Sequence, residues 1–205
     1  MTMTDTPTEL ALLQGARLKG RLTAESAALF AGDSAAVHVK ALELRGLMKP
    51  GPAGARLTPA GKERLRALLA QERSAVDTAT VRRLYAEFDR HNSALKEIVG
   101  AWQLRLDGTA NDHADGAYDA DVLDRLAAAY HDAAPLLSRI GAAVPRLVGY
   151  AHRFSRAIEK VRRGGHQWVA NPLEDSYHQA WFELHQDLLG VLELDRVDEA
   201  RQGRA

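Results

Sequence analysis

A mainly α-helical chain in two parts, with one small β-hairpin in the first, is the fold class the sequence predicts. Three observations predict it. Ala, Leu, Arg and Glu abound while Val, Ile and aromatic residues are scarce, a balance that favours helices. One stretch, Leu42 to Gly61, carries hairpin punctuation: Gly46 to close a helix, Pro50-Gly51-Pro52-Ala53-Gly54 as a tight turn, and Thr58-Pro59 to cap and open another helix. Beyond residue 77, Val81, Leu84, Tyr85, Phe88, Leu95, Ile98, Val99 and Trp102 recur at threes and fours, the stripe of a long amphipathic helix.

The elements follow in order. Residues 1–7 read as a polar, disordered tail. A first helix spans about Thr8 to Lys19, and a second begins at Thr23 and stops at Gly32. Asp33 or Ser34 caps a third that runs to Arg45. Two short helices around a Gly-containing turn, the second leading into a hairpin, is the order of a winged helix-turn-helix. A boundary near Ser74–Asp77 closes a first domain of residues 8–74. The second, residues 76–194, reads as a helical bundle. It opens with the long helix from Asp77 to about Leu104, followed by a polar loop, Asp107 to Gly116. Helical segments then cover about Asp119–Ala133, with a stop or kink at Pro135, and Pro145 to about Arg163, ending on Gly164-Gly165. A loop from His166 to Pro172 precedes a last helix, about Leu173 to Leu192, and residues 195–205 form a charged tail.

Composition bounds function before any motif does. At 205 residues the chain holds one large domain or two small ones. It has no cysteine, which excludes disulfides, thiolate metal sites and cysteine nucleophiles. Its apolar runs are too short to span a bilayer and its N-terminus does not read as a secretory signal, so a cytoplasmic protein without a membrane partner is expected. The formal net charge is zero, which taken alone argues against a nucleic-acid binder. The distribution differs: residues 1–75 hold 11 Lys/Arg against 7 Asp/Glu, and the remaining 130 hold 16 against 20. A basic front and an acidic back fit a two-part protein whose first part meets phosphates, and equally a bland scatter of surface charge.

The front half, about residues 8–72, resembles the winged-helix domains of the MarR and PadR regulators. The residues that carry the resemblance are Leu42…Gly46-Leu47 and Leu57-Thr58-Pro59-Ala60-Gly61-Lys62. It implies a winged helix; the fold itself also serves protein–protein modules. The back half does not look like the dimerisation helices of those regulators. Asn111-Asp112-His113…Tyr118-Asp119 and Ser176-Tyr177-His178…Trp181-Phe182-Glu183-Leu184-His185…Leu188-Leu189 resemble an actinobacterial helical family of uncertain role that accompanies pyruvate phosphate dikinase-like, phosphoenolpyruvate-utilising proteins. No stretch here resembles their nucleotide-binding domain or phospho-histidine motif. That resemblance therefore implies an accessory or regulatory module.

For DNA reading, the third helix offers Ser34, Val37, His38, Lys40 and Arg45, and the hairpin offers Lys49 and Arg56. Base edges are met mostly by Arg, Lys, Asn or Gln. With Ala35, Val39 and Leu42 inward, the outer side shows Val37, Lys40, Ala41 and Leu44, a thin reading head. Arg56 on the wing could enter a minor groove, and Arg17, Lys19, Arg21 and Lys49 could hold phosphates. An apolar face for a protein partner is the competing use of the same helix.

In the back half, His178 and His185 share one face of the last helix with Trp181. Two turns of helix, about 10 Å, separate the imidazoles, too far to hold one metal without a ligand between them. The sharper reading is a small-molecule pocket lined by Trp181, His178 and His185 and closed by the Trp168 loop. The plainer reading, a core helix with hydrogen-bonded histidines, outweighs it. Asn111, Asp112, His113 and Asp115 form an oxygen-rich loop that could hold a cation but lacks EF-hand spacing, and a solvated turn with Asx caps outweighs that use. His91, His131 and His152 read as surface residues. No nucleophile elbow, phosphate-binding glycine loop or H-E-x-x-H pair appears, so no catalytic residue, metal ligand or cofactor is assigned. The leading expectation is a homodimeric DNA-binding regulator whose bundle mediates dimerisation or senses an effector. Its alternatives are an interaction module of a phosphoenolpyruvate or dikinase-type system and, behind that, an enzyme using the His/Trp-rich face.

Overall fold

The computed structural model describes residues 6–194. It is mainly helical with one two-stranded antiparallel sheet, and it divides into two compact units between Val76 and Asp77. The tails expected at 1–5 and 195–205 lie outside the described residues, whereas Thr6 and Pro7, expected in the first tail, begin a helix.

The first unit runs α1 (Thr6–Lys19), α2 (Ala24–Ala31), α3 (Ala35–Leu44), β1 (Met48–Lys49), β2 (Arg56–Leu57) and α4 (Pro59–Ala75). Thr23 caps α2 with a reciprocal capping box to Ser26. Before α2, Leu22 exchanges two backbone hydrogen bonds with Ala55, of 2.7 and 2.8 Å, and so lies beside the hairpin as a single bridging residue. Gly46 takes the left-handed conformation (φ +70°) that ends α3, and the Leu47 N–H reaches back to the Leu42 carbonyl. Thr58 then joins hairpin to helix: its hydroxyl donates to the Gly46 carbonyl at 2.7 Å and accepts from the Gly61 N–H at 3.0 Å. At Gly61 the backbones approach so closely that an added Cβ would fall 2.0 Å from the Leu47 carbonyl oxygen. The core is aliphatic, with Leu12, Leu13, Leu42, Met48, Leu65 and Leu68 buried.

The second unit contains α5 (Thr78–Gln103), α6 (Gly116–Ala143), α7 (Gly149–Arg162), a short α8 (Gln167–Ala170) and α9 (Tyr177–Leu192). α5 packs on α6, α6 on α7, α7 on α9 and α9 back on α5, closing a four-helix ring. Asp77 and Asp115 cap α5 and α6 with their carboxylates. Aromatic rings of α5, α7 and α9 fill the middle: Phe88 stacks on Trp181 at 4.6 Å, and Phe154 lies 5.0 Å from Tyr177 and 5.6 Å from Trp181.

Three expected boundaries are corrected. Of the stop or kink expected at Pro135, the stop does not occur: α6 continues to Ala143 with the proline inside it. Ala133, Leu136, Leu137 and Ile140 are buried on both sides of the proline, and their packing offsets the missing N–H bond. The helix expected from Pro145 is a 3-10 turn, Pro145–Val148, followed by α7. The last helix starts at Tyr177 rather than Leu173, because Asn171 turns the chain by accepting the Leu173 N–H and Ser176 is the side chain that caps it.

Candidate nucleic-acid interface and the C-terminal aromatic face

The candidate interface is the outer side of α3 and the hairpin. Ser34 does not cap α3: a 3-10 turn, Gly32–Ser34, runs straight into the helix, and the Ser34 hydroxyl instead donates to the Ala31 carbonyl. Ala35 and Leu42 are buried and Val39 is half-buried, so the inward side is as expected. Outward stand Val37 (58% exposed), Lys40 and Leu44 (79%), with His38 and Ala41 half-buried. The Lys40 ammonium lies 3.2 Å from Glu43 on the same helix.

Arg45 is exposed at the end of α3, but its guanidinium is already engaged. Its guanidinium turns back to the buried Glu9, donating to both carboxylate oxygens at 2.8 and 3.1 Å, while Arg64 Nε donates at 2.7 Å. Burial raises the Glu9 pKa, but the hydrogen bonds from Arg45 and Arg64 outweigh it and hold the carboxyl below its ordinary value. Arg45 therefore ties α3 to α1 and α4.

Lys49 and Arg56 are exposed and directly opposite each other in the register of β1 and β2, while Met48 and Leu57 form the other pair. Successive strand side chains alternate between faces, so the buried Met48 sends Lys49 outward. Two cations thus face one another across the hairpin, an arrangement that repels until an anion lies between them.

The pocket expected from Trp168, His178, Trp181 and His185 is filled. Trp181 is buried against Phe88, Phe154 and Tyr177, and its Nε1–H donates to Asn92 Oδ1 at 3.1 Å. His185 is buried, with its Nε2 sharing a hydrogen bond of 3.1 Å with the Tyr85 hydroxyl. His178 is half-buried, and burial lowers its imidazole pKa. Trp168 packs beneath the Lys160 ammonium, 3.2 Å from the ring centroid. The shared face exists, but aromatic packing from α5 and α7 covers it.

Sequence reading missed the ionic groups inside the bundle. Arg153 donates to Glu183 at 2.7 Å and to Asp175 at 2.5 Å, with all three side chains buried. Burial opposes the Arg153 charge, but Glu183 and Asp175 raise its pKa above the ordinary value. Beside it Asp187 accepts from Arg146 at 2.7 Å and from the Tyr150 hydroxyl at 2.6 Å. Burial first, and the Asp187 charge second, push the Tyr150 pKa well up. The available signal was position: Arg153 falls on the Tyr150–Phe154–Ala157 stripe of α7, where a solvated arginine is out of place.

The Asn111–Asp115 loop turns its oxygens to the protein. The Asn111 amide donates to Asp119 Oδ1 at 2.8 Å and to the Trp102 carbonyl at 3.2 Å, and His113 Nδ1 lies 2.9 Å from Asp119 Oδ2. Asp112 accepts the Ala114 N–H, and Asp115 accepts those of Ala117 and Tyr118. Burial raises the Asp119 pKa, but the hydrogen bonds from Asn111 and His113 hold it below its usual value. Among the described residues no group of three or more His, Cys, Asp or Glu is placed to hold a metal ion, and no helix is long and apolar enough to cross a membrane. Comparison with protein-family models, with curated proteins and with solved structures found no match to this chain.

Proposed function

We propose that residues 6–76 form a winged helix-turn-helix that binds double-stranded DNA through the hairpin and α3, as the reading head of a transcriptional regulator. The chain order supports the fold reading: helix, the bridging Leu22, helix-turn-helix, hairpin, helix. The single observation that carries the DNA reading is the Lys49–Arg56 pair, two exposed cations held opposite each other with Pro50 to Gly54 at the tip between them. A phosphate placed there relieves their repulsion. On α3, Lys40 reaches phosphate or a base edge, and Val37 offers apolar contact of the kind that meets a thymine methyl. Palindromic half-sites favour a two-fold protein, so the regulator is proposed to be a homodimer.

One observation favours a second reading. Val37 and Leu44 are large apolar side chains exposed seven residues apart on one side of α3. Such a stripe also suits an apolar groove on a protein partner.

Fluorescence anisotropy with a labelled mixed-sequence duplex separates the two. The DNA reading expects affinity that falls steeply with salt, and Lys49→Glu with Arg56→Glu should lower the log–log salt slope by about 0.9 for each phosphate contact removed. Undetectable binding at low salt removes the DNA reading and leaves the apolar stripe.

A further inference from the structure

A second site lies in the helical bundle, where the end of α5, the Asn111–His113 turn and the start of α8 surround a cavity of about 390 Å³. That volume falls within the usual range for a small-molecule site. Its polar lining comes from Gln103, Asn111, His113, His166, Gln167 and Asn171, with Trp102 and Ala170 as the apolar wall. The Trp102 ring has His113 at 4.3 Å and His166 edge-on at 5.5 Å, so one indole spaces two imidazoles around the same opening.

His113 is positioned from behind. The Asn111 amide nitrogen lies 3.2 Å from His113 Nδ1 as well as donating to the Trp102 carbonyl and Asp119 Oδ1. Because the Asp119 carboxyl is held below its usual pKa and as a carboxylate only accepts, the 2.9 Å contact between His113 Nδ1 and Asp119 Oδ2 is an Nδ1–H donated to the carboxylate. The ring is then fixed with Nε2 on its outer edge, the arrangement that serves imidazoles which bind ligands or move protons. His113 also has a left-handed backbone (φ +59°), uncommon outside glycine though His adopts it more readily than most residues, as Asn and Asp do, and the Asn111 side chain accepts its N–H. Backbone strain of this kind collects at working sites.

The lining decides the ligand's charge. None of the eight lining residues is acidic, and the one carboxylate behind them, Asp119, already has Asn111 and His113 on its two oxygens. A cation finds no unengaged carboxylate here. An anion finds carboxamide N–H groups and a ring N–H of His166, and it finds an Nε2–H on His113 when that ring carries a second proton, since Nδ1–H is already given to Asp119.

We propose that this cavity binds a small metabolite through an oxyanion group, carboxylate or phosphoryl, held by His166 and by His113 as the imidazolium, its Nδ1–H on Asp119 and its Nε2–H on the ligand, so that binding takes up a proton and Asp119 is the positioning residue for His113. The neighbouring carboxamides of Gln103, Gln167 and Asn171 contact the rest of the molecule. The site is independent of whether the hairpin binds DNA.

The test is an NMR titration of the full chain with inorganic phosphate and, separately, with sodium benzoate, at constant ionic strength. The readouts are the imidazole Cε1–H signals of His113 and His166 and the indole N–H of Trp102. The expected result is a saturable shift of all three with at least one anion. Binding should weaken about tenfold in His113→Asn and in His166→Gln, the worth of one charge-assisted hydrogen bond. Asn tolerates the left-handed backbone and both histidines are exposed, so the variants keep the fold. A response to phosphate alone assigns a phosphoryl ligand, and a response to benzoate alone a carboxylate. No saturable shift with either anion, or a Trp102 shift unchanged in the double variant, overturns the proposal.

Discussion

The two units reach a stable interior by different routes. The first has an aliphatic core with an ionic tie, Arg45 and Arg64 on Glu9, and joints where backbones meet closely: Leu22 against Ala55 and Gly61 under the Leu47 carbonyl, with the Thr58 hydroxyl set between the Gly46 carbonyl and the Gly61 N–H. The second has a core of stacked rings threaded by buried ions. A small unit has little volume for large side chains and is held by close backbone contact, whereas the longer helices of the bundle enclose enough space for Trp, Tyr and paired charges. The contrast predicts that the first unit tolerates side-chain change better than backbone change, and that the reverse holds in the second.

All three tryptophans, Trp102, Trp168 and Trp181, lie beyond Asp77, so indole fluorescence reports the second unit alone. The largest expected effect is there. Arg153→Ala leaves Glu183 and Asp175 buried without their main cation and should cost about 3–5 kcal/mol in urea unfolding followed by fluorescence. Combining Arg153→Met with Glu183→Leu should recover much of that loss, since an apolar pair replaces a charged one at little net cost. If the single variant unfolds with the parent's midpoint, the charges are not what holds α7 to α9.

Next is Gly61→Ala, which drives a methyl into the Leu47 carbonyl and should cost the first unit about 1–3 kcal/mol, read from the thermal midpoint of its amide signals by NMR. A similar loss from Leu68→Met, a volume-conserving core change, would break the contrast. A smaller effect follows from Glu9. Its folded pKa is lowered, so the stability it contributes is complete above the unfolded carboxyl value, about pH 4.3, and is lost as pH falls through the lower folded value. Glu9→Gln should flatten that acid limb in the first unit and leave the fluorescence-detected limb of the second unchanged.

The smallest effect has two signs. Arg56→Glu places an opposite charge beside Lys49 and should stabilise the hairpin by about 0.2–1 kcal/mol, while weakening duplex binding. Binding that survives together with raised stability would show that the hairpin is not a phosphate contact.

Legibility in the sequence followed the distance over which each feature is decided. The Gly46 helix end, the Thr58 cap and the Asp77 start of α5 are settled within about a turn of chain, and their residues announce them. The continuation of α6 through Pro135 is settled by helices packed against it, and local propensity pointed the other way. The candidate site divides likewise. Lys49 and Arg56 were readable as exposed cations because strand alternation is local. Arg45 was not readable as an ion-pair partner, because Glu9 lies 36 residues earlier. His185 and Trp181 were placed on one helix face, but what covers them, Tyr85 and Asn92, comes from 100 and 89 residues away.

The facing Lys49 and Arg56 have one more consequence. A like-charged pair across two-residue strands works as a compressed spring: the hairpin closes against it, and any polyanion that settles between the charges releases it. If the hairpin binds a polyanion as proposed, that partner becomes part of what keeps the hairpin shut, and folding and binding of this corner form one linked equilibrium. Heparin, or a duplex of any sequence, should protect the Thr58 amide, which donates across the hairpin to the Leu47 carbonyl, from exchange before it changes any helix.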